Sequence, residues 1–129
     1  MRRLFFLSFA LVALCALPAI VWAQSLTVGK ESEAILEGVP TCDTLDQMRD
    51  VWSKGTFKEQ AERLMHYNRQ VKDGAPACGM ATTDLTVTRV YGKKTVEGQT
   101  VYLISYVAVG GSKTFYAMTT IPIHDGSSV

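Results

Sequence analysis

Few residues in this chain have the chemistry to act on a substrate. The two histidines are His66 and His124, and the cysteines at issue are Cys42 and Cys78. A Ser or Cys nucleophile needs a base within hydrogen-bond reach. Cys42 and Cys78 are better used on one another, and His124 falls in a polar tail. No Gly-x-Ser-x-Gly elbow occurs. The sequence therefore reads as non-enzymatic, with no catalytic residue and no cofactor. Metal binding has a thin case. Glu62 and His66 stand four apart on one helical face, a spacing that suits an exposed polar pair as well as a ligand pair. Met48 and Met65 read as core fillers, so no metal is expected. Gly110-Gly111-Ser112-Lys113 lacks the glycine spacing and the following helix of a phosphate loop. With strands on both sides it reads as a hairpin.

The cysteines point to a compartment. Cys42 and Cys78 are 36 positions apart. That is neither the close spacing of a redox pair nor that of a zinc knuckle. Joined in an oxidising environment, they would stabilise the fold by about 3–4 kcal/mol through loop closure. The N-terminus agrees. Arg2 and Arg3 precede an apolar run from Leu4 to Ile20, and Val21-Trp22-Ala23 offers a cleavage site. A cut between Ala23 and Gln24 is expected, with Sec export and no stable membrane anchor left. Cys15 lies inside the run and leaves with it. Loss of Arg2 and Arg3 lowers the formal charge of +1 by two. Lys93-Lys94 is then the largest basic block, too small for a phosphate-reading surface, so nucleic acid is excluded as a partner. The length fits one domain. The expected organisation is a signal peptide over 1–23, a flexible lead over 24–33, one domain over 34–123 and a frayed tail over 124–129.

Several elements can be placed. A short strand over 34–37 enters the domain, and Gly38-Val39-Pro40 turns the chain toward Cys42. Thr44 with Gln47, and Thr56 with Glu59, are capping-box pairs that open two helices. Gly55 would stop the first, and Lys72-Asp73-Gly74 with Pro76 the second. Phe57, Ala61, Leu64, Met65 and Val71 form the apolar stripe of the second helix. After Cys78 the period falls to two. Strands follow over 85–91, 100–109 and 114–121, the last two joined at Gly110-Gly111 or Gly111-Ser112. The expected fold is α+β: a disulfide-linked helical hairpin packed on a small antiparallel sheet of three or four strands.

Period two sorts the hairpin into faces. Val101, Leu103, Ser105 and Val107 share one with Tyr116 and Met118. Tyr102, Ile104 and Tyr106 share the other with Phe115, Ala117 and Ile121. Both are largely apolar, and such a sheet is covered on both sides. The helices cover one face. Curvature, the N-terminal segment or a partner must cover the other.

Cys42-Asp43-Thr44 and Ala77-Cys78-Gly79-Met80-Ala81-Thr82 resemble segments of a group of small exported bacterial proteins. These share a Cys-Asp-Thr start, a helical middle, an Ala-Cys-Gly return and following strands. The likeness spans roughly residues 42–91 and transfers no functional residue, because the group has no assigned activity. It implies a bacterial envelope setting and supports the disulfide. The expected function is that of a periplasmic or secreted module binding a protein or an envelope component, with self-association a further option. Tyr102, Tyr106 and Lys113 are the candidate interaction surface, although tyrosines there also suit a core edge with hydroxyls at the rim. One alternative is an inhibitor of a host or competitor enzyme such as a lysozyme, inserting the Gly110–Lys113 tip. Another is a carrier of a small ligand or metal, using the second sheet face or His66.

Overall fold

A computed structural model describes residues 25–125. The expected signal peptide, its Ala23/Gln24 junction and residues 126–129 of the expected tail lie outside the described residues. Nine strands and two helices are present among them. They are β1 (Leu26–Thr27), β2 (Leu36–Cys42), α1 (Leu45–Trp52), α2 (Phe57–Asn68), β3 (Val71–Lys72), β4 (Ala75–Pro76), β5 (Cys78–Thr83), β6 (Leu85–Val96), β7 (Gln99–Ala108), β8 (Thr114–Thr119) and β9 (Ile123–His124). A five-stranded sheet of order β5-β2-β8-β7-β6 forms the body, and all its pairings are antiparallel. β1 and β9 add a short parallel pair, and β3 and β4 a small hairpin.

This overturns the expected architecture. The molecule is mostly β, and the disulfide does not staple a helical hairpin. Cys42 ends β2, Cys78 begins β5, and the two are register partners across neighbouring strands. The misplacement has a local cause. Asp73-Gly74 was expected to stop α2 near residue 72. Both residues have positive φ, 56° and 82°, the geometry of a two-residue hairpin turn. They close β3 onto β4, and α2 ends at Asn68. The chain thus leaves the helix early and enters the sheet edge at Cys78. The sheet also exceeds four strands, because residues 36–42 and 78–83 both join it.

The helix starts are as the capping residues dictate. Thr44 Oγ1 accepts from the Gln47 N–H at 3.2 Å, and Thr56 Oγ1 from the Glu59 N–H at 3.1 Å. β6 runs beyond residue 91 to Val96 and turns at Glu97-Gly98, both at positive φ. That turn fixes the long β6–β7 ladder. The β7–β8 register, with Val107 opposite Thr114, keeps the expected parity, but the turn falls at Val109-Gly110, closed by the Gly111 N–H on the Ala108 carbonyl, and residues 109–113 connect the strands.

The two faces are covered differently. Val101, Leu103 and Met118 pack with Met48, Val51 and Leu64, so the helices take that face. Ile104, Tyr106 and Ala117 pack with Leu26, Leu36, Val39, Leu85 and Val87. The N-terminal segment therefore closes the second face. Leu26 and Ser32 are buried, and Glu31 bridges Thr86, so residues 26–32 are a built part of the fold rather than a flexible lead. His124 likewise pairs with Thr27 in the β1–β9 strand pair, inside the fold.

Candidate functional site

β2 carries the residues that open a site. It pairs with β5 along its length, from Leu36 opposite Thr83 to Cys42 opposite Cys78. Its pairing with β8 contains only Thr41–Ala117 and Cys42–Tyr116. The reason lies in Pro40. Neighbouring residues of an antiparallel strand direct their main-chain groups to alternate sides. The Asp43 N–H bonds the Ala77 carbonyl on the β5 side, so Cys42 and Pro40 face β8. Proline has no N–H to give, and the ladder ends there. Two residues earlier Gly38 sits at φ 66° within a bulge, which bends the strand further.

Beyond that point β2 and β8 part, leaving a cleft of about 570 Å³. Leu36–Pro40 form one wall and Met118–Ile121 the other, and Phe57, Gln60 and Val101 contribute from the helix side. The lining is apolar apart from Gln60, Thr119, Thr120 and Glu37. Glu37 is its one ionisable residue among the described residues.

Gln60 is the unusual member. It is 1% exposed, the third residue after Phe57 and four before Leu64 on the inner stripe of α2. Its Nε2 donates to the Trp52 carbonyl at 3.2 Å and, at 3.5 Å, to that of Lys54. These are carbonyls at and beyond the end of α1, where intrahelical partners run out. That use of the nitrogen fixes the amide's orientation. Its Oε1 is buried without a partner among the described residues. A buried acceptor left unpaired costs about 1–3 kcal/mol.

The anticipated interaction surface is not assembled. Tyr106 is 1% exposed and belongs to the core. Its hydroxyl is 2.9 Å from Thr41 Oγ1, which donates in turn to the Val39 carbonyl. Burial raises the Tyr106 pKa, and the Thr41 hydrogen bond opposes the rise. Tyr102 is half-buried on the same face. Lys113 is exposed at the hairpin tip, but its Nζ sits 3.3 Å from Asp43 Oδ1 and lies over the Phe115 ring. The tip is thus tied back to the body.

Other polar groups hold the scaffold. Asp50 Oδ2 accepts from Arg63 Nε and from the Tyr67 hydroxyl, each at 2.6 Å, which ties α1 to α2. The Tyr67 and Arg63 hydrogen bonds hold the Asp50 pKa down at about 2. The same bonds raise the pKa values of Tyr67 and Arg63. His66 is exposed on α2, 3.3 Å from Gln70 Nε2. Met48 is buried as a core filler, whereas Met65 is exposed. No cluster of three metal-ligating His, Cys, Asp or Glu side chains occurs among the described residues. No helix among them is long and apolar enough to cross a membrane.

Gln60 and Pro40 were both missed as site residues, and each had a signal. Gln60 falls three residues after Phe57 and four before Leu64 on the apolar stripe, where a polar residue must be buried. Pro40 interrupts a strand whose other neighbours are β-compatible, and proline marks the end of a ladder. No protein-family model matches the chain, and neither a curated protein nor a solved structure is detectably similar to it.

Proposed function

We propose that this chain is an exported, non-enzymatic binding module, and that the β2–β8 cleft is where it binds a protein or envelope component. One observation carries the reading: a concave site between β2 and β8 combines apolar side chains with polar ones, among them the buried Gln60. Binding sites combine apolar walls with a few convergent polar groups in this way. The Cys42–Cys78 bridge suits an oxidising compartment. The inhibitor reading draws less support, because Lys113 at the hairpin tip is bound back to Asp43.

The test is site-directed photocrosslinking in the producing cell. A benzoylphenylalanine at Thr120, on the exposed rim of the cleft, is expected to give a discrete adduct. The same group at Lys93, on the far edge strand β6, is expected to give none. Equal labelling from both positions, or none from position 120, contradicts the reading.

A further inference from the structure

We infer that the occupant of the cleft is an extended peptide segment, inserted as a strand between β2 and β8, with alternate apolar side chains and a basic residue at its rim end. The inference rests on the binding-module reading and names the class of partner.

The walls of the cleft are the edges of two strands. β8 is paired through Thr119 to β7 on one side, and β2 is paired to β5 on its outer side. Past Thr41–Ala117 no ladder pair joins them to each other. Strand parity turns Tyr116 and Met118 of β8 toward β2, and Thr120 follows one residue past the strand's end on the same wall. Gly38 lies on the opposite wall. Main-chain donors and acceptors thus line two sides of one opening. An apolar small molecule filling it would strip water from those groups and give nothing back. A peptide main chain offers both a donor and an acceptor at each residue, as in strand addition to open sheet edges.

The dimensions agree. A strand residue in a packed sheet occupies about 3.3 Å along the strand, about 4.8 Å across it and about 10 Å between layers, or roughly 160 Å³. The cleft of about 570 Å³ therefore holds between three and four residues. One wall presents Leu36–Val39 of β2, and the other presents Met118 and Thr119 of β8 with the two residues that follow it, Thr120 and Ile121. Phe57, Val101 and Met118 receive side chains on the helix side. Glu37, exposed at the mouth, selects a basic flank.

The probe is acetyl-Lys-Val-Thr-Val-Thr-Val-amide, titrated into the ¹⁵N-labelled exported protein. Its control is the same peptide N-methylated at alternate amides, which keeps the apolar surface and loses the donors along one edge, so that it cannot pair with both walls. The expected result is that amide resonances of residues 36–39 and 118–121 shift. Hydrogen exchange at Gly38 and Thr120 should slow at least tenfold. The methylated peptide and the rim-filling variant Thr120→Trp should each weaken binding at least tenfold. Equal binding of both peptides, or shifts elsewhere on the surface, would overturn the inference. Anilinonaphthalene sulfonate, an apolar probe, separates the two levels. If it perturbs the cleft amides and the peptide does not, strand insertion is wrong and the binding site stands. If neither probe finds the cleft and the crosslinker at position 120 stays silent, both readings fall.

Discussion

The two halves of β2 make opposite use of one strand. From Thr41 to Cys42 it is paired on both sides, bridged to Cys78 and held by Tyr106. From Leu36 to Pro40 it is paired on one side only and faces a cleft. The same chain is clamped at one end and parted at the other within a few residues. The difference shows how a small sheet can keep an open seam. The clamp fixes where β2 and β8 begin to diverge, and Pro40 prevents them from zipping further. An open seam without the clamp would be free to slip in register or close.

Breaking the clamp should have the largest effect. The double variant Cys42→Ser, Cys78→Ser removes closure of a loop 36 residues long and should cost about 3–4 kcal/mol. Denaturant melts with and without reductant check this. The wild-type protein under reductant should match the variant, and a loss below about 1 kcal/mol would show that the clamp lies elsewhere.

Removing the second tie at that end should matter less. Tyr106→Phe keeps the ring in the core but deletes the hydroxyl that meets Thr41. The expected loss is about 1 kcal/mol, the usual net value of a hydrogen bond. The fall should be seen in the same melts, with the Thr41–Val39 contact left in place.

The helix tie tests the scaffold around the cleft. Asp50 has its pKa lowered from 3.8 to about 2 by its bonds to Tyr67 and Arg63. The folded state therefore binds the Asp50 proton less readily than the unfolded chain. The stabilisation is complete above the unfolded pKa of 3.8 and is lost as pH falls toward 2. The carboxylate is partly open to solvent, so the effect is reduced by screening. Asp50→Asn should flatten the acid limb of stability between about pH 4 and pH 2, with little change at pH 7 in the pH slope. An unchanged acid limb would remove Asp50 from the account.

The smallest effect on stability should sharpen the comparison most. Pro40→Val restores an N–H directed at β8. The gain of a ladder bond is offset by the freer unfolded chain, so stability should move by less than about 1 kcal/mol. The cleft, however, should narrow. Exchange at Thr120 should slow in the free variant, and peptide binding should weaken severalfold. Unchanged exchange would mean that Gly38 alone holds the seam open.

Much of this fold is legible in local sequence signals. Thr44 and Thr56 announce the helix starts because a hydroxyl there satisfies a backbone donor. Gly110-Gly111 and period two give the β7–β8 faces and register. The cysteine pairing is the one expected of two thiols widely spaced in sequence, outside any redox or zinc motif. What escapes is long-range. Asp73-Gly74 can stop a helix or close a hairpin, and only the packing of residues 71–78 decides. The pairing of β2 with both β5 and β8 joins segments far apart in sequence, and no local pattern names a strand's neighbours. The cleft therefore could not be seen, and Tyr106, on an apolar face with a polar tip, suits a core edge with its hydroxyl at the rim as well as an interaction surface. Its partner Thr41 lies 65 positions away. Gln60 was visible as a polar break in an apolar stripe, but its unpaired oxygen is a property of the assembled fold.

The parting of β2 from β8 is tested most directly by hydrogen exchange in the free protein, residue by residue. The Gly38 and Thr120 amides should exchange orders of magnitude faster than those of Leu103 and Ile104 in the middle of β7. Protection at Gly38 and Thr120 comparable to that of β7 would mean that the two strands are joined along their length, and that no binding seam exists.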